Sequence, residues 1–117
     1  MNIEELRDYC LTKKGVSESF PFDETTLVFK VLDKMFCLTD IEKEFSMNLK
    51  CDPGKAIELR ELYTAVQPGY HMNKKHWNTV KPDESTSKEL IESWIDDSYN
   101  LVVSSFTKKK KEELNSL

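Results

Sequence analysis

Polar and apolar positions alternate with two different periods along this chain, and the switches between them outline its elements. Ile3, Leu6 and Cys10 recur at spacings of three and four, which predicts a helix over residues 2–14 with Glu4, Glu5 and Asp8 on its polar side and Gly15 as a left-handed terminator. From Thr26 to Leu32 the period drops to two, with Leu27, Phe29 and Val31 on one face and Thr26, Val28 and Lys30 on the other. Asp33-Lys34 then reads as a tight turn into a second strand, Met35 to Thr39, and the pair forms an antiparallel hairpin. A charged connection, Glu42-Lys43-Glu44, leads to a third strand in which Met47, Leu49 and Cys51 share a face, completing a three-stranded meander.

Asp52-Pro53 combines an N-cap with proline in the first turn, so a second helix should run from there to about Tyr63. Pro68-Gly69 fits the centre of a type II turn. Beyond it, Tyr70 to Met72, Asn73 to Lys75 and His76 to Val80 read as strand, polar turn and strand, a small second hairpin with a basic tip. Thr86 and Glu89 form a capping box ahead of a long apolar stripe, Leu90, Ile91, Trp94, Ile95, Leu101, Val102 and Phe106, which predicts one long C-terminal helix packed across the sheet. Lys108 to Lys111 would then occupy its last turns, where cations offset the helix dipole. The expected architecture is α+β: an antiparallel sheet, made of the meander and the second hairpin, packed by an N-terminal, a middle and a long C-terminal helix.

Length and composition set the frame. The 117 residues suit a single domain, and 38% hydrophobic residues suffice for one core. No segment approaches the roughly 20 apolar residues of a membrane helix, and the first residues are acidic where a signal peptide is basic, so a cytoplasmic monomer is expected. Three widely spaced cysteines, Cys10, Cys37 and Cys51, indicate neither a disulfide framework nor a zinc knuckle, and they read as reduced and mostly buried.

The net charge of −4 and a pI of about 5.2 argue against a protein that coats nucleic acid through bulk charge. Distribution qualifies this, because no acidic residue lies between Glu61 and Asp83 while His71, Lys74, Lys75, His76 and Lys81 all do. Lys74, Lys75 and Lys81 are positioned to meet phosphates, and Tyr70, His76 and Trp77 supply flat rings for stacking. The rival reading puts Tyr70 and Trp77 on the core side of the hairpin and leaves the lysines to solvate its edge.

Other chemistry has weaker support. The chain has no G-x-S-x-G elbow, and its three isolated glycines, Gly15, Gly54 and Gly69, exclude a phosphate-cradling loop. Cys51 and His76 make a catalytic pair only if the fold brings them together, and His71 and His76 lack a third metal ligand. No catalytic residue, metal or cofactor is assigned, and the chain is read as a binding module rather than an enzyme.

The run Gln67-Pro68-Gly69-Tyr70-His71-Met72-Asn73-Lys74-Lys75-His76-Trp77-Asn78-Thr79-Val80, with Phe20-Pro21-Phe22 and Lys30 to Phe36 ahead of it, resembles the MmcQ/YjbR family. Its most specific element is K-x-H-W-N-x-V at Lys74 to Val80, and the similarity extends over nearly the whole chain. The resemblance implies a fold similar to the CyaY-like frataxin arrangement, also called a double wing, and a DNA-binding role. On this chain the wing would carry Lys74, Lys75, His76, Trp77 and Asn78, with Lys50 and Lys81 as neighbours and Tyr70 and His71 shaping the surface. Two alternatives stand beside DNA: a protein-interaction or small-ligand domain using the same aromatic hairpin, and a frataxin-like metal binder on the acidic face of Glu4, Glu5 and Asp8.

Overall fold

The period-two segments pair as the alternation requires. In a computed structural model describing residues 1–117, β2 (Thr26–Val31), β3 (Lys34–Asp40) and β4 (Met47–Lys50) form the antiparallel meander, Val28 opposite Leu38 and Cys37 opposite Leu49. The β2–β3 loop is Leu32-Asp33, one residue earlier than expected, with Leu32 in the left-handed region at φ 54°. A short strand with no strong alternation, β1 (Val16–Ser19), joins the edge beside β2. At the other side β6 (Trp77–Val80) pairs with both β4 and the edge strand β5 (Val66–Pro68), so the sheet has six strands in the order β1-β2-β3-β4-β6-β5.

The second hairpin therefore exists, but its arms are β5 and β6. Tyr70 to Met72 is part of an eight-residue connection, not a strand. Gly69 is not a left-handed turn residue. A Cβ there would lie 2.9 Å from Trp77 Cβ and 3.0 Å from Trp77 O, so glycine is needed for the close approach of two strands. The positive φ falls two residues later, at His71 (57°).

Helices cover one face of the sheet. The helix α1 (Ile3–Leu11) starts with a capping box between Asn2 and Glu5, and α2 (Pro53–Leu62) starts at Asp52 as read from sequence. The third, α3 (Lys88–Ser104), is capped by Ser87 rather than Thr86 and packs across β2, β3 and β4. The apolar stripe does not make one continuous helix. The chain breaks at Ser105-Phe106, where Phe106 turns into the core, and Thr107 caps a separate α4 (Lys108–Asn115). Lys108 to Lys111 thus occupy the first turn of a helix, the pole that disfavours cations, and Lys110 is drawn into an ion pair with Asp33.

The core lies between this helical layer and the sheet. Phe29, Val31, Phe36 and Cys37 meet Leu6, Ile91 and Ile95 with no exposed surface. Ser98 is the polar member of this layer: its hydroxyl donates to Phe36 O at 2.6 Å and accepts from Lys50 N at 2.9 Å, joining α3 to the sheet. No helix is long and apolar enough to cross a membrane.

Candidate functional site: a cleft on the open sheet face

The opposite face of the sheet has no helix on it. Alternation that sends Leu27, Phe29 and Val31 to the helices sends Val28, Leu38 and Trp77 to this side, where they form a separate apolar cluster with Met35 and Met72 at its margin. The 69–76 connection folds back over the cluster: Tyr70 N donates to Thr79 Oγ1 at 2.9 Å, and that hydroxyl bonds in turn to Asn48 Oδ1. Loops 20–25 and 41–46 rise from one end of the sheet and complete the surround. Between them is an open cleft of about 1080 Å³, with Leu38, Trp77 and Met72 in its floor, Phe22 and Tyr70 at its mouth, and Asp40, Lys43, Glu44 and Lys81 in its polar lining. Phe22 and Tyr70 are 64% and 61% exposed, among the largest apolar surfaces of the molecule left in water.

The residues singled out from sequence separate into three groups. Trp77 is only 7% exposed and Asn78 is buried, so neither presents itself to a partner. Asn78 serves the fold instead: Oδ1 accepts from Arg60 Nε at 2.7 Å, and Nδ2 donates to Ala56 O at 3.3 Å. Arg60 also donates to Lys74 O and, at 3.3 Å, to Trp77 O, so one guanidinium on α2 grips both the loop and the strand that follows it. Lys74 is exposed, but its ammonium is tied to its own loop, 2.9 Å from Gly69 O. The specific part of the K-x-H-W-N-x-V motif is accordingly a closure device for the cleft wall: lysine ties the loop, tryptophan floors it, and asparagine anchors the arginine behind it.

A second group stays accessible at the cleft. Tyr70 and His71 are in contact with their rings tilted by 51° and centroids 4.0 Å apart, and Lys43 lies 5.9 Å from the Tyr70 ring centroid. Lys81 faces Glu44 at 3.6 Å. The third group, Lys50, Lys75 and His76, lines no part of the cleft. Lys75 is exposed on the loop, and Lys50 and His76 are half-buried beside Trp77. Sequence reasoning missed the other half of the site, namely Phe22, Leu38, Asp40, Lys43, Glu44 and Met72. Phe22 was legible as an apolar residue in a Pro-containing loop; the rest needed the strand order that brings β3 and β6 onto one surface through β4.

Two alternatives are not assembled by the fold. Glu4, Glu5 and Asp8 form no metal-holding group, and no cluster of three such ligands occurs anywhere in the structure. Glu5 is already committed, its carboxylate 2.8 Å from Lys88 Nζ and held below the usual range by that hydrogen bond. Cys51 and His76 do meet, but through backbone, Cys51 N donating to His76 O at 2.8 Å. Partial burial, with Asp52 and Asp97 nearby, pushes the Cys51 thiol up, the opposite of an activated nucleophile. Cys10 and Cys37 are neighbours inside the core, and burial pushes Cys37 well above the ordinary thiol range.

Comparison with known proteins agrees with this architecture. A family model described as YjbR matches residues 11–101. The uncharacterized protein YbdF of Escherichia coli O157:H7 is 40% identical over 96 residues, which is 81% of this chain and 79% of that protein. The uncharacterized protein YjbR of Escherichia coli K12 is 34% identical over 118 aligned positions and covers 100% of both chains. Among solved structures, the Deinococcus radiodurans protein DR2400, described as a DUF419 domain, superposes with a TM-score of 0.90 at 42% identity, over 97% of this chain and 88% of that one. A Pseudomonas syringae protein superposes with a TM-score of 0.75 at 28% identity, over 86% and 98%. With the family model matching residues 11–101 and relatives at 34–40% identity over most of its length, this chain belongs to the YjbR family.

Proposed function

We propose that this chain is a small-ligand-binding module of the cytoplasm, acting as a monomer without catalysis of its own, and that its binding surface is the cleft on the open sheet face. One observation carries the reading: the only sheet face without a helical cover is concave, apolar at its floor and polar along one side. The cleft's volume of about 1080 Å³ lies at the upper end of the size that small-molecule sites reach. The loop network around Arg60 supports it, because a wall held by several hydrogen bonds is shaped before the ligand arrives. Titrating isotope-labelled protein with indole, a neutral aromatic probe, should shift the amide resonances of Leu38, Asn48, Tyr70 and Thr79 and leave those of α1 and α3 in place. Shifts scattered over the surface, or none at the cleft, would remove the reading.

DNA binding is the second reading, favoured by the exposed Lys75 in a loop free of acidic residues. It is the weaker one here. Of its proposed contacts, Trp77 and Asn78 are buried, Lys74 is tied to Gly69 O and Lys81 faces Glu44. Anisotropy of a labelled duplex at low salt separates the two. Binding that falls steeply with salt, by about 0.9 in log–log slope per phosphate contact, and is lost in Lys74→Ala/Lys75→Ala would establish the DNA surface. Absence of binding at low salt would retire it.

A further inference from the structure

We infer that the molecule taken by the cleft is dipolar, with one cationic nitrogen and one carboxylate on an apolar body; this rests on the cleft being the binding surface. The inference comes from how its charged residues are paired. Most of the ion pairs elsewhere are in direct contact: Arg7 with Glu18 at 2.5 Å, Lys13 with Asp96 at 2.5 Å, Lys88 with Glu5 at 2.8 Å. The two in the cleft are not. Lys81 Nζ stands 3.6 Å from Glu44 Oε2, and Lys43 Nζ stands 4.0 Å from Asp40 Oδ2, beyond hydrogen-bond reach.

Each of these pairs balances charge across the cleft margin without direct contact, and Lys43, Lys81 and Glu44 stay exposed to solvent. Asp40 Oδ1 accepts from Glu42 N at 2.9 Å, while Oδ2 stands 4.0 Å from Lys43 Nζ. A third lining carboxylate, Asp23, is spoken for by the backbone N–H groups of Thr25 and Thr26 at 3.0 and 2.7 Å and by their hydroxyls, so it shapes its loop rather than receiving a ligand. Two carboxylates and two ammonium groups not in direct contact therefore remain, interleaved at the margin of the cleft.

That set discriminates by charge type. An anion attracted to Lys43 and Lys81 is repelled by Asp40 and Glu44 beside them, and a cation meets the reverse. A molecule bearing both signs inserts into the pairs, gives each charge a direct hydrogen bond and leaves none alone. Its apolar part then packs against the exposed rings of Phe22 and Tyr70 at the mouth of the cleft. A polyanion meets three carboxylates in the same space.

The test uses one body with removable charges: the tripeptide Gly-Phe-Gly with free ends, acetylated, amidated, and capped at both ends, each titrated at millimolar concentration into labelled protein. The free form should bind tightest, either cap should weaken binding about two- to fivefold, as expected for exposed ion pairs, and both caps should weaken it further. Added salt should weaken the free form and leave the doubly capped one unchanged. In the double variant Asp40→Asn/Glu44→Gln the free and acetylated forms should become nearly equal. If all four forms move the cleft amides with equal affinity, or the acetylated form binds best, the dipolar inference fails while the cleft stands. If none moves them while indole does, the dipolar inference fails alone, and if indole also fails the cleft reading falls with it.

Discussion

The two faces of this sheet are built from the same alternation and finished in opposite ways. On the helical face Phe29, Phe36, Ile91 and Ile95 have no exposed surface, the buried hydroxyl of Ser98 uses both of its hydrogen-bonding roles, and Lys13 touches Asp96 at 2.5 Å. On the open face Val28, Leu38 and Trp77 are equally shielded, yet what shields them is a loop with a cleft beneath it, and the nearby ion pairs stop at 3.6 and 4.0 Å. One face has spent its apolar surface and polar groups on folding. The other keeps the exposed rings of Phe22 and Tyr70 and loosely paired, solvent-facing charges of both signs around a cleft, the features of a surface that a ligand can complete.

The comparison is broken most directly by truncating one residue on each face. Phe36→Ala removes a fully buried ring under α3 and should cost about 3–5 kcal/mol, whereas Met72→Ala removes a half-buried side chain from the cleft floor and should cost about 1 kcal/mol. Urea unfolding gives both numbers, with the denaturant slope unchanged if each variant keeps the native fold. Equal costs would mean that the two faces are packed alike and that the cleft is ordinary core.

How much of this was legible in the sequence follows the reach of the signals. Alternation at Leu27, Phe29 and Val31 and at Met47 and Leu49 gave the meander, and Asp52-Pro53 gave α2, because these signals act over a few residues. β1 was missed, since Val-Ser-Glu-Ser carries little alternation and its strand state comes from pairing with β2. The break before α4 was missed because Phe106 fits the helical stripe, and only Thr107, capping Lys110 N, marks a restart. For the site, the basic and aromatic loop was visible, but its orientation was not. Whether Trp77 faces solvent depends on β6 lying inside the sheet, paired on both sides, and no local pattern encodes that.

Arg60 joins the two faces, and its removal should sharpen the contrast. Its guanidinium binds Asn78 Oδ1, Lys74 O and Trp77 O, from α2 through to the cleft wall. Arg60→Gln keeps some side-chain length but loses the planar fork and the charge, and should destabilise the protein by about 1–3 kcal/mol. More telling is where: hydrogen exchange of the Met72, His76 and Trp77 amides, which bond within or next to the loop, should accelerate more than that of β2 and β3. Uniform acceleration would make Arg60 a general stabiliser and the loop part of the same cooperative unit as the helical face.

The smallest effect belongs to the seam between α1 and α3, and its sign is fixed by protonation. Tyr9 Oη donates to Asp96 Oδ1 at 2.7 Å, and that hydrogen bond, with burial and the Asp96 charge, pushes the phenol up to about 12 from its ordinary 10.0. Below pH 10 the phenol is protonated in folded and unfolded chains alike, and the bond's contribution is fully present. As pH rises from 10 towards 12 the unfolded chain ionises first, so that contribution drains away and is gone above the folded value. Burial pushes Tyr99 in the same direction, so the wild-type slope sums both groups. Tyr9→Phe should therefore cost about 0.5–1 kcal/mol at pH 8 and show a shallower loss of stability between pH 10 and 12, measured by urea unfolding across that range. Since Tyr9 and Asp96 sit on the helical side, the substitution should leave the indole response of the cleft unchanged, and a change there would mean that the two faces are coupled through α3.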